Sequence, residues 1–162
     1  MAEEQGAPEQ QANGNDTQPA VGILTQYVKD LSFENPNAPG IYQAQTQPQI
    51  NVEFNIATAK LNEEIYEVSL RVEVRATIES QTAFAVDLLY AGLIGMRNVA
   101  EEDAQPFLLA EAPRILFPFA RQVIAQTVQD GGFPPLLLEP MDFHALYLQR
   151  EAQAGSGEIG QA

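Results

Sequence analysis

The sequence predicts an α+β domain in which a four-stranded antiparallel sheet carries two C-terminal helices on one face. Period-2 alternation of apolar and polar side chains recurs four times between residues 24 and 93. After residue 103 the period becomes helical, so the order is strands first and helices last. The last strand is apolar on both faces, which leaves apolar surface unburied in a monomer.

The first strand spans residues 24–34. Tyr27, Leu31 and Phe33 form its apolar side against Val28, Asp30, Ser32 and Glu34. Asn35-Pro36-Asn37-Ala38-Pro39 ends it, because proline cannot donate to a ladder and asparagine tolerates turn dihedrals. In the second strand, 49–57, Ile50, Val52, Phe54 and Ile56 alternate with polar neighbours. In the third, Tyr66, Val68, Leu70, Val72, Val74, Ala76 and Ile78 alternate without exception against charged and hydroxyl residues. The fourth, 82–93, sets Phe84, Val86, Leu88 and Tyr90 on one face, and Ala83, Ala85, Leu89 and Ala91 on the other, interrupted by Asp87. For Ile78 and Phe84 to share a face, the turn near Glu79–Gln81 needs an odd residue count or a bulge.

A loop at 97–103 leads to a helix from Arg114 to Asp130, with a stripe of Leu116, Ala120, Val123 and Thr127 widened by Ile115, Phe119 and Ile124. Pro118 should bend this helix or sit near its start. Gly131-Gly132 reads as its C-terminal cap. Residues 133–140 contain three prolines and should be extended. Asp142 caps a second helix with Phe143, Leu146 and Tyr147 on one side. Residues 1–20 read as a disordered acidic tail, 24–152 as the folded domain and 153–162 as a second disordered tail.

Composition narrows the function. The net charge is −14, and residues 21–150 still have sixteen acids against all eight bases. Nucleic acid and anionic membrane are therefore poor partners, and basic or apolar polypeptide is a better one. There is no cysteine, which excludes disulfides and thiolate chemistry. The N-terminus has neither the basic nor the apolar region of a signal peptide, and the apolar run 88–96 is too short to insert in a membrane. The expected location is the cytoplasm.

The only histidine, His144, has no nucleophile motif beside it, and the acids at 63–64 and 101–103 read as solvated clusters rather than a metal site. No cofactor and no enzymatic activity are expected. Two helices cover one sheet face only, so surplus apolar surface predicts an oligomer. Asp30 and Glu34 share a strand face about 13 Å apart, with Asp87 projecting outward. From the residues alone these are either solvated strand acids or an acidic patch that a partner reads.

The segments KDLSFENPNAP, TAF, ILFPFAR, GGFPP and DFHALY, in this order between residues 24 and 150, resemble the SecB family of tetrameric protein-export chaperones. The resemblance implies a homotetramer, a dimer of dimers with helices sandwiched between sheets. It implies an ATP-independent chaperone that binds unfolded precursor proteins and delivers them to the SecA translocase motor. A general holdase of the same fold without SecA delivery is the alternative. SecA binding is implied for Asp30, Glu34, Ala85 and Asp87, and the tetramer contact for Val86, Leu88 and Tyr90. A client-binding groove is implied for Phe33, Ile41, Tyr42, Phe133, Leu137 and Tyr147. Ala85 and Asp87 stand where better-known members carry leucine and glutamate. The tryptophan common in the loop after the first strand is absent, with Thr46 near its place.

Overall fold

The computed structural model describes residues 17–158. Strands β1 (Ala20–Glu34), β2 (Gln49–Lys60), β3 (Ile65–Ile78) and β4 (Gln81–Arg97) precede helices α1 (Glu101–Pro106), α2 (Ala112–Asp130) and α3 (Phe143–Glu158). The sheet is antiparallel with order β1-β4-β3-β2, so β1 and β2 are its edges. The chain is thus α+β, as its periodicity predicts.

One face of the sheet is dry. Val68, Leu70 and Val72 of β3 and Leu88 and Ile94 of β4 meet Leu116, Ala120, Ile124 and Val128 of α2 in a fully buried core. These α2 residues recur every four positions, a row that runs obliquely across the helix face. Val123 and Thr127 of the predicted stripe lie beside it and are half-buried, and Phe119 faces solvent.

Three local features refine the periodicity; the first and third escaped it, and the second is the bulge that parity allowed. First, β1 carries irregularities between Ile23 and Thr25 and between Val28 and Asp30. The extra residue Lys29 reverses the alternation. Val28 therefore joins Leu31 and Phe33 on the helix side, while Tyr27 shares the outer face with Asp30, Ser32 and Glu34. The expected grouping of Tyr27 with Leu31 and Phe33 is corrected on this ground.

Second, the β3–β4 turn is a two-residue one. Glu79 and Ser80 both have positive φ (51° and 67°), and the parity is restored by a bulge at Ala83, between the pairs Thr77–Thr82 and Ala76–Phe84.

Third, helical structure begins at Glu101, well before residue 114. Pro113 has no N–H to donate to Leu109, and the turn Phe107–Glu111 widens, with the Ala112 N–H bonding Phe107 O five residues back. Prolines 106 and 113 hid this helical run from a period count. At the other end, α3 continues to Glu158 rather than ending near 152. The proposed tails at 1–16 and 159–162 lie outside the described residues.

Positive φ at both central turn positions favours Asn-Gly over Glu-Ser. The double substitution Glu79→Asn/Ser80→Gly should raise stability by about 1 kcal/mol, read by thermal unfolding. An unchanged or lower midpoint would contradict the strain assigned to this turn.

Candidate functional site

Two surfaces converge at the end of β1. The first is an aromatic cluster where the chain leaves β1, the C-terminus of α2, and the segment after it. The Phe33 ring lies 6.3 Å from Phe84, Phe84 lies 4.9 Å from Phe133, and Phe133 lies 5.3 Å from Tyr42. A polar triangle fixes the Tyr42 end: Asn35 Nδ2 donates to Tyr42 Oη (2.8 Å) and to Gly131 O (3.1 Å), and Tyr42 Oη donates to Gly131 O (2.7 Å). Asn37 Nδ2 ties the same loop to Thr82 O at 2.8 Å.

The glycine pair is dictated by these neighbours. A Cβ on Gly131 would lie 2.3 Å from Phe33 Cζ, and Gly132 has φ +88° with its Cβ position 3.1 Å from Tyr42. Gly131 N–H bonds Thr127 O and Val128 O, and Phe133 N–H bonds Val128 O, which closes the helix as expected of its cap. The sequence therefore specifies both the helix end and the seat for two rings.

Beside this cluster opens an apolar groove of about 520 Å³, lined by Ile41, Tyr42, Ile50, Ile78, Phe84 and Phe133 among others. It gathers three of the six groove residues implied by the resemblance: Ile41, Tyr42 and Phe133. Phe33 stands behind it against Phe84. Leu137 is 71% exposed and does not line the groove. Tyr147 belongs to a separate small cavity of about 90 Å³ with Ile56, Leu109 and Leu146. Neither residue shares this groove: the extended segment after Gly132 carries Leu137 into solvent, and α3 packs against the wide turn before α2. Ile50, Ile78 and Phe84 went unrecognised, because only the strand register brings them to the groove mouth.

The second surface is the outer face of the sheet. Glu34 pairs with Ala85, Ser32 with Asp87, and Asp30 with Leu89, so Asp30, Glu34, Ala85 and Asp87 lie together as the resemblance implies. The neighbouring strands add a row that the sequence did not reveal: Asp87 lies opposite Glu73, and Glu73 opposite Glu53. Carboxylates directly opposite repel. Arg71 offsets this by donating from Nε and Nη2 to Asp87 (3.1 and 2.7 Å), with Nη2 also 2.9 Å from Glu73.

Asp87 is thus oriented outward but already paired, and Arg71 holds its carboxyl below the ordinary range. Asp30 and Glu34 are exposed and make no ion pair among the described residues. Further along, Glu67 receives the Tyr27 hydroxyl and Lys29 Nζ (2.7 Å), which fastens the bulged part of β1 across β4. Lys29 and then Tyr27 pull the Glu67 carboxyl down, and the bond to Glu67, ahead of burial, pushes the Tyr27 phenol up to about 12.

Val86, Leu88 and Tyr90 do not offer an interface. They are 2%, 0% and 7% exposed within the protomer, on the helix side of β4. Any influence on assembly passes through the helix they support. Apolar side chains open to a second molecule include Val21, Leu24, Val28 and Leu31 of β1 and Phe119 of α2, each at least 40% exposed.

Two outcomes follow. Gly131→Ala should destabilise by about 1–3 kcal/mol by pushing Phe33 off Phe84. In a double-mutant cycle with Phe33→Leu, the two effects should sum to less than the separate losses, and strict additivity would exclude the contact. Because Asp87 has a depressed pKa, its pairing stabilises the fold above the ordinary carboxylate range and is lost as pH falls through the folded value. Arg71→Ala should therefore lower the unfolding midpoint at pH 7 and have little effect near about pH 2. An equal deficit at both pH values would show that Arg71 acts by packing.

Comparison with known proteins agrees with this architecture. Residues 14–154 match the family model described as preprotein translocase subunit SecB. The chain is 57% identical over 173 aligned residues to the protein-export protein SecB of Sphingopyxis alaskensis, covering all of both chains. It is 59% identical over 153 residues to that of Rhizorhabdus wittichii, covering 94% of this chain and 92% of the relative. Among solved structures, a Mycobacterium tuberculosis SecB-like chaperone in complex with an antitoxin peptide has the same fold. Its TM-score is 0.64 at 18% identity, covering 75% of this chain and 90% of that one. On its sequence, its sheet order and its helical layer, the chain belongs to the SecB family.

Proposed function

We propose that this protein is an ATP-independent chaperone of the cytoplasm that holds unfolded precursor proteins and delivers them to the SecA motor for export. The observation that carries the reading is the apolar, aromatic-lined groove at the junction of the β1–β2 loop and the α2 terminus. It is open and shallow, which suits an extended segment of an unfolded chain. Buried apolar area contributes about 25 cal/mol per Å², and ordering costs offset most of it, so capture is sequence-tolerant and reversible. Relatives named protein-export protein SecB support the export role. Among the described residues no helix is long and apolar enough to cross a membrane.

Delivery to SecA is assigned to the β1 half of the outer face, chiefly Asp30 and Glu34. Their carboxylates are exposed and unpaired among the described residues, whereas Asp87 is neutralised by Arg71. Ala85, beside Glu34, supplies a small flat contact. Such rim charges act mainly on association rate and selectivity. The homotetramer is supported by the exposed Val21, Val28 and Leu31 on the helix side of an edge strand, together with the exposed Phe119 of α2. A second copy laid there would cover it and place helices between sheets.

A second reading, a holdase without SecA delivery, has one observation in its favour: the solved SecB-like chaperone was captured with an antitoxin peptide. The two readings part on charge reversal. Asp30→Lys/Glu34→Lys should weaken SecA binding at least about tenfold and leave capture of an unfolded precursor within about twofold. If the unmodified protein captures the precursor and never binds SecA, the holdase reading is the correct one. Light scattering should give a tetramer's mass, and a stable monomer at micromolar concentration would refute the assembly.

A further inference from the structure

We propose that the free edge of β2 takes part of an unfolded client as an added β-strand, continuous with the apolar groove. The inference deepens the holdase reading and rests on it. β2 pairs only with β3, so one of its edges is open. Which residues serve that edge follows from the hairpin. Leu61 N donates to Ile65 O at 2.9 Å, which makes Leu61–Ile65 a hydrogen-bonded pair of the ladder. The β2–β3 register runs without a shift from there to Gln49–Thr77.

Hydrogen-bonded pairs alternate along an antiparallel ladder, so odd-numbered residues of β2 bond β3. Even-numbered residues, Ile50, Val52 and Phe54, turn their N–H and C=O groups toward the free edge. The neighbouring ladder agrees: Met96 N donates to Glu64 O at 2.7 Å, which commits the even residues of β3 to β4 and its odd residues to β2. Among the described residues, no backbone hydrogen bond outside the β2–β3 ladder reaches Ile50, Val52 or Phe54.

The stretch Ile50 to Ile56 has a single charge, Glu53, and neither proline nor lysine. Exposed edges normally carry such residues to block pairing with other chains. This edge lacks them, and its first outward-bonding residue, Ile50, also lines the apolar groove. An extended peptide on this edge would satisfy the backbone groups regardless of its sequence and drop alternate side chains toward the groove. A second copy is a poorer occupant, because two-fold antiparallel pairing centred on this stretch brings Glu53 opposite Glu53.

The test uses the full chain with reduced, carboxymethylated α-lactalbumin as the unfolded client. Amide exchange by NMR should slow at Ile50, Val52 and Phe54 when the client binds. It should change little at Asn51 and Glu53, whose amides already bond β3. Ile50→Pro, which removes an outward donor and leaves the β3 ladder intact, should bind the client at least about fivefold more weakly than Ile50→Ala.

Client capture without slower exchange at those three amides overturns the proposal, leaving the groove alone as the binding element. Slow exchange that grows with protein concentration in the absence of client assigns the edge to a second copy and also overturns it. If the unmodified protein captures no client at all, the holdase reading falls and this inference with it. The exchange measurement stands on the unmodified protein, so a misfolded proline variant would not blunt it.

Discussion

The seating of α2 on β3 and β4 governs everything else. Leu116, Ala120, Ile124 and Val128 sit on the inward side chains of the two central strands, and this decides which face of the sheet is dry. With one face covered, the charges on alternate positions have only the other face to occupy. The same helix, closing at Gly131, presents that one carbonyl to both Tyr42 and Asn35, so the groove is positioned by the length of the helix that builds the core. Core, charged face and groove are three consequences of one packing choice.

The two candidate surfaces are chemically distinct and meet only at the end of β1. The groove is apolar, with rings packed against a glycine pair. The outer face is a small lattice of charge in which Arg71 compensates the two acids nearest it. Two acids on β1 are left outside that lattice. A chaperone that must accept many clients and one receiver needs this division, because affinity for the first must not depend on sequence and affinity for the second must.

Much of this was legible in the residues. Strict alternation located all four strands, and the cap at Gly131-Gly132 and the start of α3 followed from local chemistry. What escaped depended on register and count. The bulge at Lys29 cannot be read from alternation, since Tyr27 and Val28 exchange faces only if one residue is left unpaired. The helix from Glu101 was concealed by Pro106 and Pro113, which break the period without ending the helical run. The Arg71–Asp87 pair required knowing that β4 lies beside β3 in one particular register. The places of Leu137 and of α3 with Tyr147 outside the groove depend on the course of residues 133–142, an extended stretch with no periodicity from which to infer its direction.

The unpaired residue at Lys29 gives this strand one letter to spare. Val28 pairs with Tyr90 and Asp30 with Leu89, neighbours on β4, so removing Lys29 would close the bulge into a regular ladder. Val28, Leu31 and Phe33 would stay toward the helices and Tyr27 would stay outward, with the Lys29 contact to Glu67 lost. Keeping Lys29 but pairing it would instead turn Tyr27 inward and Val28 outward. In evolutionary terms, a gap at Lys29 should be far better tolerated than one in β2, whose register with β3 holds no spare residue.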